Sequence, residues 1–253
     1  MALLELSGVT MRFGGLVAVN DLHLTLDPGR LYGLIGPNGA GKTTVFNVIT
    51  GVYTPNSGTI RFDGADIGGE RTGRITRRGV ARTFQNIRLF GDMTVLSNVK
   101  VAFHCRQEAG LAAAVLRAPK HSSEEERVDR ESRELLKIFH LEAAAEEKAR
   151  NLPYGSQRRL EIARAMATSP RLLLLDEPAA GMNPHEAREL MDLIRWVRDR
   201  FGMAILLVEH NMKVVMGICE IVHALDYGST IAVGKPAEIQ SNPKVIEAYL
   251  GGA

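Results

Sequence analysis

Apolar and polar positions alternate through residues 3–35. The alternation predicts strands at Leu4–Val9, Leu22–Leu26 and Leu31–Ile35, with Asp27-Pro28-Gly29 as the turn between the last two. Another short strand is predicted over residues 59–63, closed by Gly64, and one more over residues 79–84. From about residue 87 to 160 the spacing becomes helical. Leu96–Glu108 reads as one helix, and the cap-like Ser122-Ser123 before Glu124-Glu125-Glu126 starts a second that runs to Leu141, its mixed charges forming a solvated outer face. Beyond residue 160 strands and helices alternate: strand Leu172–Leu175, helix Pro184–Phe201, strand Ala204–Val208, helix Asn211–Gly217, then strands Ile221–Leu225 and Thr230–Val233. This order predicts an α/β fold on a mixed, largely parallel sheet, interrupted by a helical insert.

The strand Leu31–Ile35 runs into Gly36-Pro37-Asn38-Gly39-Ala40-Gly41-Lys42-Thr43-Thr44, which fits G-x-x-x-x-G-K-[ST]. Helical spacing then continues toward Gly51. A loop between strand and helix aims several backbone N–H groups and a helix N-terminus at one point, and that point favours an anion. Glycines let the backbone approach without a Cβ in the way. Lys42 is placed to reach the β- and γ-phosphates of a nucleotide, and the Thr43 hydroxyl to hold Mg²⁺. A ligand-free glycine turn is the competing reading; the strand before and the helix after weigh against it.

Composition narrows the class. The chain has 253 residues, 45% of them hydrophobic, and a net charge of +2 from 31 basic and 29 acidic side chains, which is no footprint for nucleic acid. The basic run Arg71, Arg74, Arg77, Arg78 and Arg82 accordingly reads as a solvated helix face or a partner surface. Cys105 and Cys219 are far apart without metal-ligand spacing. The first residues lack a signal-peptide layout, and no apolar run approaches the roughly 18 residues that span a bilayer. The expectation is a soluble, cytoplasmic chain that reaches a membrane only through a partner.

A second cluster of chemistry follows from Leu172-Leu173-Leu174-Leu175-Asp176-Glu177. A buried strand that ends in acids delivers them to the edge where open α/β sheets bind ligands. Asp176 there would act on Mg²⁺, and Glu177 would polarise a water aimed at the γ-phosphate. His210 ends the run Ala204–Val208 in the same manner and is placed to contact the γ-phosphate or the water. Gln85 follows the strand-like residues 79–84 and offers a neutral amide to Mg²⁺ or water. A GTPase would need an N-K-x-D guanine reader, which the chain lacks.

These pieces, together with Leu152-Pro153-Tyr154-Gly155-Ser156-Gln157 and the helix after it, resemble the ATP-binding subunit of an ABC transporter over about Leu4 to Leu250. The resemblance implies a phosphate-loop ATPase core over residues 1–86 and 161–253, including an N-terminal antiparallel β part, and a helical subdomain over 87–160. It also implies a head-to-tail dimer, in which Pro153, Tyr154, Gly155, Ser156 and Gln157 contact the ATP held by the opposite cassette. Phe13 matches the aromatic that stacks on adenine, Gln85 the loop that senses the membrane subunits, His210 the switch histidine, and Asn183 the loop residue that couples the two sites. The resemblance implies that residues Gly36–Thr44 hold ATP, that Lys42, Gln85, Glu177 and His210 serve hydrolysis, and that Thr43, Gln85 and Asp176 organise Mg²⁺. Against the usual L-S-G-G-Q, Pro153 removes a hydroxyl, Tyr154 stands at the first glycine and Ser156 replaces the glutamine. Asn183 stands where an aspartate is usual.

Further stretches resemble the branched-chain amino acid import ATPases of bacteria: Arg12–Asn20, Arg82–Phe90, Asp176–Pro184 and the ending Asn242–Gly251. The insert over about 107–122 resembles the larger of the two ATPase subunits such systems carry. The partners implied are a second cassette, identical or homologous, two transmembrane permeases and, indirectly, a periplasmic binding protein, with this chain peripheral on the cytoplasmic face of the membrane. Urea or amide importers and lipopolysaccharide exporters share much of the pattern. A soluble ABC protein outside transport would usually carry two cassettes or a long coiled coil, and this chain has neither.

Overall fold

The computed structural model describes residues 1–106 and 119–250, which form two compact units: residues 1–85 with those from 171 onward, and residues 86–170. The chain opens with the antiparallel hairpin β1 (Leu4–Phe13) and β2 (Leu16–Leu26), leaves it for β3 (Leu31–Ile35) and α1 (Lys42–Ile49), and returns with β4 (Ser57–Phe62) and β5 (Ala65–Asp66). β1 and β2 are longer than the alternation predicts. Register shifts after Leu6 and Val9 break the period of two, so the pattern fades before the strands end. The order in this sheet is β2-β1-β4-β5. The helix α2 (Thr72–Arg78) then leads into β6 (Val80–Arg82).

The second unit is helical. In α3 (Val95–Phe103) the Thr94 side chain caps the start by accepting from the Ser97 N–H at 3.0 Å. The helix tightens into a 3₁₀ turn at His104–Arg106, where Cys105 is exposed. The expected helix end at Glu108 and most of the insert over 107–122 fall outside the described residues. α4 runs over Pro119–Ile138, starting three residues before Ser122 and stopping short of Leu141. Proline suits a first helical turn, and His140 at φ 56° cannot continue a right-handed helix. α5 is Tyr154–Met166. The sequence boundary at 160 would cut this continuous helix; the structure keeps it whole, with the unit extending to Pro170.

Back in the first unit, β7 (Leu172–Asp176) leads to α6 (Pro184–Phe201), β8 (Ala204–Val208), α7 (Met212–Ile218), β9 (Ile221–Asp226), β10 (Ser229–Gly234), α8 (Pro236–Gln240) and α9 (Pro243–Leu250). α6 begins where predicted because Asn183 and Glu186 form a capping box with Pro184 at the first turn. Its outer face carries Trp196, the sole tryptophan, 48% exposed. Among the described residues the sheet order is β10-β9-β3-β8-β7-β6, parallel except for β10. β3, β7 and β8 are buried at every residue, which explains why they read as unbroken apolar runs. Cys219 is buried beside them, and burial pushes its thiol up to about 12.

One buried base lies within this sheet. His223 on β9 is 5% exposed, its Nδ1 has no partner among the described residues, and burial pushes its pKa down to about 4. The unfolded chain binds this proton near pH 6.5 and the folded chain only near pH 4, so stability is full above 6.5 and falls as pH drops toward 4. By pH 5 the loss from this one group is about 2 kcal/mol. Urea midpoints at pH 7 and pH 5 should therefore differ less in His223→Leu than in the parent chain; an unchanged difference would remove His223 as the cause.

Candidate active site

β3, β8, β7 and β6 are parallel neighbours, so their carboxyl ends open on one edge of the sheet. That edge receives residues 36–44 from β3, Asp176 and Glu177 from β7, Glu209 and His210 from β8, and Gln85 just beyond β6. Residues separated in sequence by more than a hundred positions meet there because of strand order alone.

The loop after β3 is closed around its glycines. Gly36, Gly39 and Gly41 have φ of 152°, 83° and 100°. A Cβ on Gly36 would run into the Leu225 carbonyl oxygen, and one on Gly41 into that of Ala18. No side chain caps α1, so its first-turn N–H groups face outward for an anion. Lys42 is 6% exposed, and its Nζ donates to the carbonyl oxygens of Gly36 at 2.7 Å and Pro37 at 2.9 Å. Burial lowers its pKa, while the charges of Glu177 and Asp176 oppose that shift. Thr43 is exposed at the start of the same helix, beside the half-buried Thr44.

Glu177 sits between two of the other expected residues. Its Oε1 is 2.7 Å from His210 Nε2, and its Oε2 accepts from Gln85 Nε2 at 3.1 Å. The backbone of Glu177 is left-handed at φ 47°, an uncommon conformation for a glutamate, and its N–H donates to the Val208 carbonyl at 2.9 Å. Strain held at the strand end turns this side chain out of β7 toward the cleft.

Asp176 is held by a residue whose role the sequence reading missed. Arg82 donates to Asp176 Oδ2 at 2.8 Å and to Asn47 Oδ1 at 2.6 Å, with its guanidinium 5.2 Å from the rings of both Phe46 and Phe84. The pair is nearly dry, with side chains 7% and 5% exposed. The expected solvated basic face therefore applies to the residues of α2 but not to Arg82, which lies inside β6. Glu209 was also passed over. It is 4% exposed, burial raises its pKa, and its Oε1 accepts from the Ala179 N–H at 3.0 Å, tying the end of β8 to the loop after Glu177.

A cleft of about 600 Å³ has Phe13, Lys42, Thr43, Gln85, Glu177 and His210 on its walls. Phe13 is 41% exposed and makes an edge contact with Tyr53, ring centroids 5.1 Å apart, which leaves ring surface for a stacked base. Among the described residues no three His, Cys, Asp or Glu side chains gather as a metal cage. A hydroxyl, an amide oxygen and one carboxylate are hard oxygen donors of the kind Mg²⁺ takes alongside phosphate and water, so the set fits that ion. Asn183 spends its Oδ1 on the N–H groups of His185 and Glu186, at 2.9 and 3.0 Å, capping α6.

In the second unit Pro153 caps α5 without a side-chain bond, as the missing hydroxyl requires. Tyr154 is exposed at 44%, and its hydroxyl accepts from Arg158 Nη2 at 3.1 Å. Arg158, 0% exposed, also bonds Glu161 at 2.9 Å. Gln157 donates to the Leu152 carbonyl at 2.8 Å. The start of α5 is thus a braced helix N-terminus with Gly155 and Ser156 half-buried at its first turn.

Residues 19–180 match the ABC transporter family. The chain belongs to that family. As a member, this ABC protein is an ATP-binding, ATP-hydrolysing subunit. Its residues 229–253 match the branched-chain amino acid ATP-binding cassette transporter family. It is 49% identical over 252 residues to the high-affinity branched-chain amino acid transport ATP-binding protein LivG of Escherichia coli strain K12, covering 99% of this chain and 98% of the relative. It is 47% identical over 251 residues to the high-affinity branched-chain amino acid transport ATP-binding protein BraF of Pseudomonas aeruginosa, at the same coverage. The solved ADP conformation of MJ1267, an ATP-binding cassette of an ABC transporter, superposes with a TM-score of 0.86 at 30% identity, covering 99% of both chains. No described helix of the ABC protein is long and apolar enough to cross a membrane.

Proposed function

We propose that this ABC protein powers the import of branched-chain amino acids through separate membrane subunits. The observation that carries its catalytic part is Glu177, held between Gln85 and His210 on the sheet edge that also carries the phosphate loop. The loop amides and Lys42 hold the phosphates of ATP. Glu177 orients a water in line with the β–γ bridge and accepts its proton, and His210 meets the charge that develops on the γ-phosphate. Thr43, Gln85 and Asp176 would hold Mg²⁺, which when bound offsets phosphate charge. Phe13 gives the adenine a stacking face. Likeness to LivG and BraF supports the amino acid as cargo.

The braced start of α5 is read as the surface offered to ATP on a second cassette, so two chains close head to tail over two nucleotides, with Asn183 coupling their sites. In this reading two permeases bind the pair at the cytoplasmic face of the membrane, and a periplasmic binding protein delivers the cargo. Pro153 and Tyr154 leave the backbone donors of that helix start in place, so contact in trans persists without the usual serine hydroxyl.

The test is uptake of labelled leucine by cells that carry the cognate permeases and binding protein but lack this chain. Supplying the chain should restore uptake at least tenfold over background, and Lys42→Ala should not. Restored urea uptake with leucine uptake unchanged would overturn the cargo assignment.

A further inference from the structure

The helix α9 ends against the phosphate loop. Its Tyr249 hydroxyl accepts the Gly36 N–H at 2.9 Å. Gly36 is the first residue beyond β3, whose pairing with β9 stops at Ile35 and Ala224, so the ladder offers this buried N–H no partner. A buried N–H without a partner is costly, and Tyr249 supplies that partner from 213 residues away in sequence. The carbonyl of the same residue, Gly36, accepts from Lys42 Nζ at 2.7 Å. A Cβ at Gly36 would meet both the Leu225 carbonyl oxygen and the Ala40 side chain, so the position takes only glycine. Tyr249 and Lys42 thus hold the two peptide units that flank the Gly36 Cα, one by its N–H and the other by its carbonyl.

The contact is a strut and not part of a packed face. A cavity of about 780 Å³ lies between the outer side of residues 37–40 and Lys244, Glu247 and Ala248 of α9. Val245 is the buried anchor of the helix, while the Tyr249 ring stays 38% exposed. Burial of the hydroxyl end raises its pKa, so it stays protonated through the physiological range.

We propose that Tyr249 is a positioning residue for ATP binding: its hydroxyl sets the Gly36 peptide, and through it the phosphate loop and Lys42. The inference rests on the reading of residues 36–44 as the ATP phosphate site. The experiment uses the full chain in three variants, with ATP as the probe. Tyr249→Phe should raise the KM and the dissociation constant for ATP about fivefold, the size of one neutral hydrogen bond, with the effect in KM rather than kcat. Tyr32→Phe removes a hydroxyl that accepts the Asp27 N–H at 2.8 Å and donates to Asp27 Oδ2 at 3.4 Å, so it should lower Tm without moving KM. A Tyr249→Phe chain that loses Tm but keeps the parent's ATP affinity overturns the proposal and leaves a structural tyrosine. Lys42→Ala separates the two claims: if it too keeps full ATP affinity, the phosphate-site reading fails first.

Discussion

Glu177→Gln lowers ATP turnover at least a hundredfold while ATP affinity stays within about twofold. Glutamine has the same shape and can keep its place between His210 and Gln85, which stand 2.7 and 3.1 Å from the carboxylate. The left-handed backbone at φ 47° is no harder for glutamine than for glutamate. Only the charge and the basicity are lost, and a positioned base contributes roughly 10²–10⁴ in rate. Binding should persist because the phosphate cradle lies in the loop amides and Lys42. Steady-state phosphate release and equilibrium ATP titration check the two halves. Turnover above a tenth of the parent's would remove Glu177 from the chemical step.

Arg82→Met destabilises the first unit by about 3–5 kcal/mol, because it strands a buried carboxylate. Asp176 is only 5% exposed at its side chain; Arg82 bonds it directly, while Lys42 acts on it only through its charge. The methionine fills the space between Phe46 and Phe84 but cannot neutralise the acid. Adding Asp176→Asn to the same chain should recover most of the stability, since no charge is then left unpaired, while ATP hydrolysis stays low. Urea unfolding of the parent, both single variants and the double variant completes the cycle. A double variant no more stable than Arg82→Met would show that packing, and not the charge pair, is what Arg82 supplies.

The contrast between Glu177 and Arg82 marks what could be read from the chain. Strands β3, β7 and β8 were legible because strands covered on both faces must be apolar throughout, and the loop was legible because its glycines and lysine recur at fixed spacing. Strand order then brings Asp176, Glu177, His210 and Gln85 together, and the sequence carried that only through the rule that ligands sit at carboxyl ends of parallel strands. Arg82 was illegible because it follows three arginines of a solvated helix and a fourth at its cap, and nothing in composition separates a buried cation from an exposed one. Arg158 was hidden the same way in α5. Its one local trace is Glu161 three residues on, a spacing shared by many exposed pairs. α9 gave too short a pattern for its periodicity to stand out, so the hydroxyl on Gly36 could be found only in three dimensions.

The placement of Trp196, Cys105 and Cys219 has a practical consequence. The buried thiol at Cys219, held protonated far above neutral pH, resists alkylation, whereas Cys105 stands in solvent at the end of α3. A thiol-reactive fluorophore would therefore go to the helical unit, while the sole intrinsic donor, Trp196, reports from the other unit. The unaltered chain thus carries a labelling site in one unit and a tryptophan in the other, so the surroundings of each unit can be followed separately through an ATP cycle without introducing a single mutation.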